Sequence, residues 1–250
     1  MVDLSPLQEK RYHRNIQVPC IGVEGQKKLL SSSVLVVGAG GLGSPVAYYL
    51  VAAGIGRLGI ADGDVVDLSN LQRQILHFTS DLGRPKVESA ADKLSALNPD
   101  CKVVQHPFTV TAENAAQVVA QYDLVVDATD NFAARFVLNK ACLEQRRPFV
   151  HAAVLSMAGR IMTILPYEGP CLRCVFREPP SLSAKTTFDL GVLGTIPAMA
   201  ACLQATEAIK YLLGQGELLV NRMLIFDALA MNFTTAEVKR DPNCPDCGTP

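Results

Sequence analysis

Val34-Leu35-Val36-Val37 is an apolar run with no polar alternation, bounded by Ser31-Ser32-Ser33 on one side and Gly38 on the other. A strand solvated on one face alternates polar and apolar residues, so a uniformly apolar run predicts a strand covered on both faces, as in a parallel sheet. Further strands are predicted at 58–61, closing on Asp62, at 102–106, at Leu124-Val125-Val126-Asp127 and at 149–154. Segments with helical character lie between them. The first is 45–53, with Pro45 in its first turn where the missing N–H costs nothing; the others are 86–97, stopped by Asn98-Pro99, and 132–144. Strands alternating with helices of this length predict an α/β fold with a doubly wound, mainly parallel, Rossmann-like sheet.

The rhythm changes after residue 155. Strands are predicted at 160–165, 223–226 and 235–239, flanking one long helix over 195–213. That helix opens with Thr195 as cap and Pro197 in its first turn, and it closes at Gly214. The segment 177–190 carries Glu178-Pro179-Pro180 and a Ser/Thr-rich tract, the composition of a mobile surface loop. The expected organisation is one domain over 1–250. It comprises a polar helical arm (1–30), an α/β half (31–155) and a second half (156–250) with an antiparallel extension; no internal repeat is present.

Composition narrows the function. Of 250 residues, 49% are hydrophobic and 19% charged, which suits a folded core. Lys and Arg number 23 against 24 Asp and Glu, a net charge of −1, so no global positive field favours nucleic acid or an anionic membrane surface. The N-terminal MVDLSPLQEKRYHR has no apolar core of the signal-peptide kind, and no apolar stretch is long enough to span a bilayer, so a soluble cytoplasmic chain is expected.

Gly38-Ala39-Gly40-Gly41-Leu42-Gly43 is a GxGxxG placed between a strand and a helix. Its glycines let the backbone approach a phosphate, and the helix N-terminus offers free N–H groups. Asp62 ends the next strand, where a carboxylate can accept from ribose hydroxyls. To this point NAD and ATP fit equally. The following segment, from Asp62 and Asp64 through Asn70 and Arg73-Gln74, is densely polar, and Lys86 follows Gly83-Arg84-Pro85. Cations here suit β- and γ-phosphates, whereas a dinucleotide needs few charges. Asp130, in Asp127-Ala128-Thr129-Asp130-Asn131, stands after the fourth strand, where a carboxylate can hold Mg²⁺. The same residue is also placed to cap the helix from Phe132.

Of eight cysteines, Cys171/Cys174 and Cys244/Cys247 form two CxxC pairs, and four thiolates complete a closed tetrahedral zinc site of structural type. A redox dithiol would need only one pair. Cys202, among Ala, Met and Leu, reads as core packing. His13, His77, His106 and His151 show no ligand spacing and read as surface or hydrogen-bonded histidines.

These motifs, in this order, resemble the HesA/MoeB/ThiF family, bacterial relatives of ubiquitin-activating enzymes. The likeness also draws on Arg11-Tyr12-His13-Arg14, Pro19, Gly22, Gly25-Gln26 and Glu207-Ala208-Ile209-Lys210, and it is nearest in look to the zinc-carrying molybdopterin-synthase adenylyltransferase type. It implies ATP·Mg²⁺-dependent adenylation of the C-terminal glycine of a ubiquitin-like sulfur carrier ending in Gly-Gly, for molybdopterin or thiamine synthesis. It further implies that Gly41 contacts the nucleotide and Asp62 the ribose, that Asn70, Arg73 and Lys86 attend the phosphates, and that Asp130 binds Mg²⁺. Gly38, Gly40, Gly43, Asp64, Gln74 and Asn131 complete the expected nucleotide site. Arg14 would reach the neighbouring subunit of a homodimer. Where many relatives carry a cysteine before the GVLG tract this chain has Thr187, which cannot replace a thiolate, so a separate sulfur donor is expected. The competing readings are an NAD(P)-dependent dehydrogenase, a non-catalytic carrier-binding scaffold, and an enzyme that adenylates a small molecule or a tRNA base.

Overall fold

The computed structural model describes residues 3–179 and 190–248. Eight strands form one sheet in the order β3-β2-β1-β4-β5-β6-β7-β8. The strands are β1 (Ser33–Val37), β2 (Arg57–Ala61), β3 (Lys102–His106), β4 (Leu124–Asp127), β5 (Phe149–Leu155), β6 (Ala158–Ile164), β7 (Arg222–Asp227) and β8 (Asn232–Glu237). The first five are parallel; β6, β7 and β8 are added antiparallel. The doubly wound, mainly parallel sheet with an antiparallel extension is therefore observed.

The uniform apolarity of the early strands has its cause in the two covered faces. Val34 and Val36 point into one core with α4 (Gly43–Ala53), α5 (Lys86–Leu97) and α9 (Thr195–Leu213), whereas Leu35 and Val37 point into the other. That second core is made with α6 (Ala115–Val119), α7 (Phe132–Glu144) and α8 (Leu172–Val175). Three short helices, α1 (Pro6–Arg11), α2 (His13–Ile16) and α3 (Gly22–Leu30), make up the N-terminal arm.

Some expectations shift. Gly194, not Thr195, is the N-cap of α9; Thr195 is its first residue, and among the described residues no side chain caps the helix. The last strand is Asn232–Glu237, about three residues earlier than its pattern suggested, because its register is set by pairing Arg222 with Glu237 across the hairpin. All its residues are exposed, so it carries no burial pattern to read. Cys202 is exposed rather than packed in the core: it lies on the solvent side of α9, while Ala201 and Ala205 face inward. Residues 180–189, which include Thr187 and most of the expected loop at 177–190, lie outside the described residues.

Glu207 shows why the Glu-Ala-Ile-Lys tract sits on α9. Its buried carboxylate accepts from Thr163 Oγ1 at 2.5 Å and from Leu219 N at 2.7 Å, and it pairs with Lys210. One side chain thus joins α9 to β6 and to the segment entering β7. Among the described residues no helix is long and apolar enough to cross a membrane.

Candidate functional site

The carboxyl ends of β1, β2 and β4 open onto a cleft of about 270 Å³. Open α/β sheets bind ligands there because the helix N-termini and the connecting loops converge on that edge. Gly38, Gly40, Gly41 and Leu42 form its floor. Gly38 has φ +103°, and a Cβ on it would lie 2.5 Å from Ala128 O. A Cβ on Gly43 would lie 1.8 Å from Gly38 O, so the loop closes on its own backbone. Gly40 and Gly41 instead face side chains, those of Gln74 and of Arg73 and Pro197 respectively. The four glycines thus divide: Gly38 and Gly43 permit the turn, and Gly40 and Gly41 leave room above it.

Two networks fix this loop. Asp62 Oδ2 accepts from Ala39 N at 2.7 Å, and Oδ1 accepts from Asp64 N at 2.8 Å. His77 is buried between Ala39 O, 2.9 Å from Nε2, and Ser89 Oγ, 2.8 Å from Nδ1, and burial holds its imidazole below the ordinary value. Asp62, expected to meet a ribose, therefore ties the glycine loop to the next strand. Each oxygen keeps a lone pair for a ligand.

Arg73, Gln74 and Lys86 line the same cleft with Asp64, Asp130 and Asn131. Lys86 is no solvated surface charge: its side chain is buried, and Nζ lies 2.9 Å from Asp64 Oδ2. The backbone explains the pairing, because Lys86 N donates to Asp64 O and Val66 N to Arg84 O, laying the two segments side by side. Arg73 Nη1 donates to Ser69 O at 3.1 Å. Gln74 is buried, and its Oε1 has no partner among the described residues.

Asp130 does not cap α7. Asn131 does, accepting from Ala134 N at 2.9 Å, which leaves the exposed Asp130 carboxylate with only Asn131 Nδ2, at 3.3 Å, among the described residues. A carboxylate with so few partners, in a cleft also lined by the cations Arg73, Lys86 and Arg135, fits a magnesium ion.

Three expected site residues do not line the cleft. Gly43 lies beneath it; Asn70 ends a short 3₁₀ turn beside it; Arg14 is exposed on α2 and donates to Gln17 Oε1. The pattern gave no warning of Phe108, Thr109 and Val110, which follow β3 and supply another wall, nor of Arg135 on α7. Only the position of Phe108–Val110 after a strand could have suggested them, since their side chains carry no distinctive chemistry.

The four paired cysteines converge. Cys171 Sγ is 4.0 Å from Cys174 Sγ and 3.5 Å from Cys244 Sγ, and Cys174 Sγ is 3.4 Å from Cys247 Sγ. All four sulfurs lie within 4.8 Å of one another. Tetrahedral Zn–S bonds of about 2.3 Å place sulfurs about 3.8 Å apart, so the cluster fits zinc, and these gaps are far beyond a disulfide of about 2 Å. Burial pushes the Cys174 thiol up to about 11 and Cys171 higher still, which a bound cation would reverse. Asn139 steadies the cluster from α7, accepting from Leu172 N at 2.9 Å and donating to Asp246 Oδ2 at 2.7 Å. Zinc here would tie the C-terminal tail to α8 with no open coordination position.

The model of the ThiF family matches residues 12–246. The chain belongs to the ThiF family. Its relatives within that family include the SAMP-activating enzyme E1 of Haloferax volcanii, 46% identical over 99% of this chain and 92% of that protein. The sulfur carrier protein adenylyltransferase of Thermus thermophilus is 45% identical, over 95% of this chain and 90% of its own length. The maize adenylyltransferase and sulfurtransferase MOCS3-1 is 48% identical over 95% of this chain, but this ThiF-family chain spans only 51% of that protein. Among solved structures, E. coli MccB with ATP superposes with a TM-score of 0.83 at 24% identity, over 96% of this chain and 75% of MccB. At that identity the likeness is one of fold.

Proposed function

We propose that this chain is an ATP·Mg²⁺-dependent adenylyltransferase that joins AMP to the C-terminal glycine of a ubiquitin-like sulfur carrier, in molybdopterin or thiamine synthesis. The observation that carries the reading is the cleft itself. It sets Lys86 and Arg73 beside the glycine loop, with Asp130 free of any capping role, an arrangement that suits a bound triphosphate. The relatives named for adenylation of sulfur carriers support the same class of reaction.

In this reading the carrier's terminal carboxylate attacks the α-phosphorus, the bond from that phosphorus to the bridging oxygen breaks, and pyrophosphate leaves. The attacking carboxylate is already ionised at neutral pH, so no general base is needed. The protein's work is alignment and charge neutralisation. Gly40 and Gly41 admit the phosphates close to backbone, Lys86 and Arg73 neutralise charge that builds on the leaving oxygens, and Asp62 orients the ribose. Asn70 assists at the phosphates from its turn, and Gln74 and Asn131 supply polar contacts. Asp130 would hold Mg²⁺, which supplies further neutralisation when bound.

Arg14, exposed on α2 and outside this chain's own cleft, is proposed to act in the neighbouring subunit of a homodimer. With Thr187 at the position where many relatives have cysteine, the acyl-adenylate would pass to a separate sulfur donor. Zinc at Cys171, Cys174, Cys244 and Cys247 would be structural.

The experiment is exchange of labelled pyrophosphate into ATP in the presence of purified carriers ending in Gly-Gly. Carrier-dependent exchange supports the assignment and its rank order across carriers names the pathway; no exchange with any carrier removes it.

A further inference from the structure

Thr129 is held at each of its backbone and side-chain polar atoms. Its N–H and Oγ1 donate to Asp127 Oδ1 at 2.9 and 2.6 Å, and its carbonyl accepts from Arg135 Nη2 at 2.9 Å. Asp127 is itself fully buried and fixed from three sides. Its Oδ2 accepts from His151 Nδ1 at 2.7 Å, Arg135 Nε stands 3.9 Å from the same oxygen, and Gln204 Nε2 donates to the Asp127 carbonyl at 2.7 Å. Asp127, His151 and Gln204 do not line the cleft; Thr129, Asp130 and Arg135 do.

Such a couple is costly to bury. Desolvating a carboxylate and a guanidinium offsets much of their attraction, and apolar side chains of like volume are often as stable. Here the polar set is also incompletely satisfied: His151 Nε2, Arg135 Nε and Gln204 Oε1 have no partner among the described residues. Its contribution is therefore sought in what it holds. The residue it holds is one peptide unit from Asp130, whose exposed carboxylate has little else to fix it.

We propose that Asp127, Arg135 and His151 form a buried bracket around Thr129 that sets where the Asp130 carboxylate stands in the cleft. His151 and Asp127 are then positioning residues for the divalent cation, touching neither cation nor nucleotide. This inference rests on the proposed reading in which Asp130 holds magnesium. Magnesium requires near-octahedral geometry at about 2.1 Å, so a small displacement of the Asp130 carboxylate would weaken the site while the glycine loop stays intact.

The test is ATP affinity measured by calorimetry in EDTA and across a Mg²⁺ series. It needs the parent, Thr129→Val, Thr129→Ser, His151→Leu, Asp130→Asn and the Thr129→Val/Asp130→Asn double variant. Thr129→Val keeps the shape and removes the Oγ1 hydrogen bond; Thr129→Ser keeps that bond. The expected result is that Thr129→Val and His151→Leu raise the Mg²⁺ concentration for half-maximal tightening about tenfold, with affinity in EDTA unchanged and Thr129→Ser near the parent. In the double variant Thr129→Val adds nothing to Asp130→Asn, a coupling that a merely structural role would not produce. Should His151→Leu fail to fold, Thr129→Val carries the test, since it leaves the buried couple in place. If Asp130→Asn shifts the Mg²⁺ dependence but Thr129→Val does not, or if the two effects simply add, the bracket is overturned. If Asp130→Asn shifts nothing, the magnesium role of Asp130 falls and the bracket with it.

Discussion

Lys86 Nζ stands 2.9 Å from Asp64 Oδ2 with unequal surroundings: the lysine side chain is 7% exposed and the aspartate 72%. The ammonium is therefore presented by a buried stem at the wall of the cleft, while its carboxylate partner is largely in water. A mobile surface lysine would lose rotamer freedom on meeting phosphate; this one has already lost it.

Lys86→Met should consequently impair chemistry more than folding. The stem is replaced by a side chain of similar length, and Asp64 remains solvated. Pyrophosphate exchange is expected to fall about 10²-fold or more, with a melting temperature within a few degrees of the parent. Exchange kinetics and a thermal melt on the same preparation check both halves.

The glycine loop allows a sharper contrast. At Gly43 an added methyl meets Gly38 O at 1.8 Å, backbone against backbone, whereas at Gly41 it meets Arg73 Cγ and Pro197 Cγ at 3.3 Å. Gly43→Ala should cost several kcal/mol of stability, of order 3, because the loop and α4 must separate. Gly41→Ala should fold normally and lose ATP affinity. Denaturant unfolding and ATP titration of the two variants separate these outcomes.

Acid sensitivity has a specific source at Asp81. Burial alone would raise its carboxyl, but Lys93, Phe78 N–H and Ser89 outweigh it and hold it at about 2. Unfolded, the group titrates near 3.9, so its contribution is complete above that range and is lost as the pH falls toward 2. Asp81→Asn should destabilise the protein by about 2 kcal/mol at pH 7, and about half of that gap should be gone at pH 3. Urea melts of parent and variant at both values measure it.

Metal analysis should return about one zinc per chain. Cys247→Ser, or extraction with a strong chelator, should release the tail and cost about 3 kcal/mol or more, since metal binding at such a cluster is coupled to folding. Retention of full stability without metal would show that the four cysteines pack as thiols.

The sequence by itself determined the order of the eight strands and of the longer helices along the chain, the glycine loop and the pairing of CxxC motifs; the short helices α6 and α8 were not legible in it. These are local signals: apolar runs such as Val34–Val37, glycine spacing, and chelating turns all declare themselves within a few residues. What sequence could not decide depends on which groups meet across the sheet. The capping of α7 fell to Asn131 rather than Asp130, a choice between neighbours settled by backbone angles. Cys202 turned outward because the phase of α9 is set by Ala201 and Ala205 packing on the sheet, not by the polarity of cysteine. The Asp127–His151 couple joins residues twenty-four positions apart on adjacent parallel strands, and it exists only because the register pairs them directly. Contacts of that range depend on strand pairing and on burial, and both are properties of the folded chain.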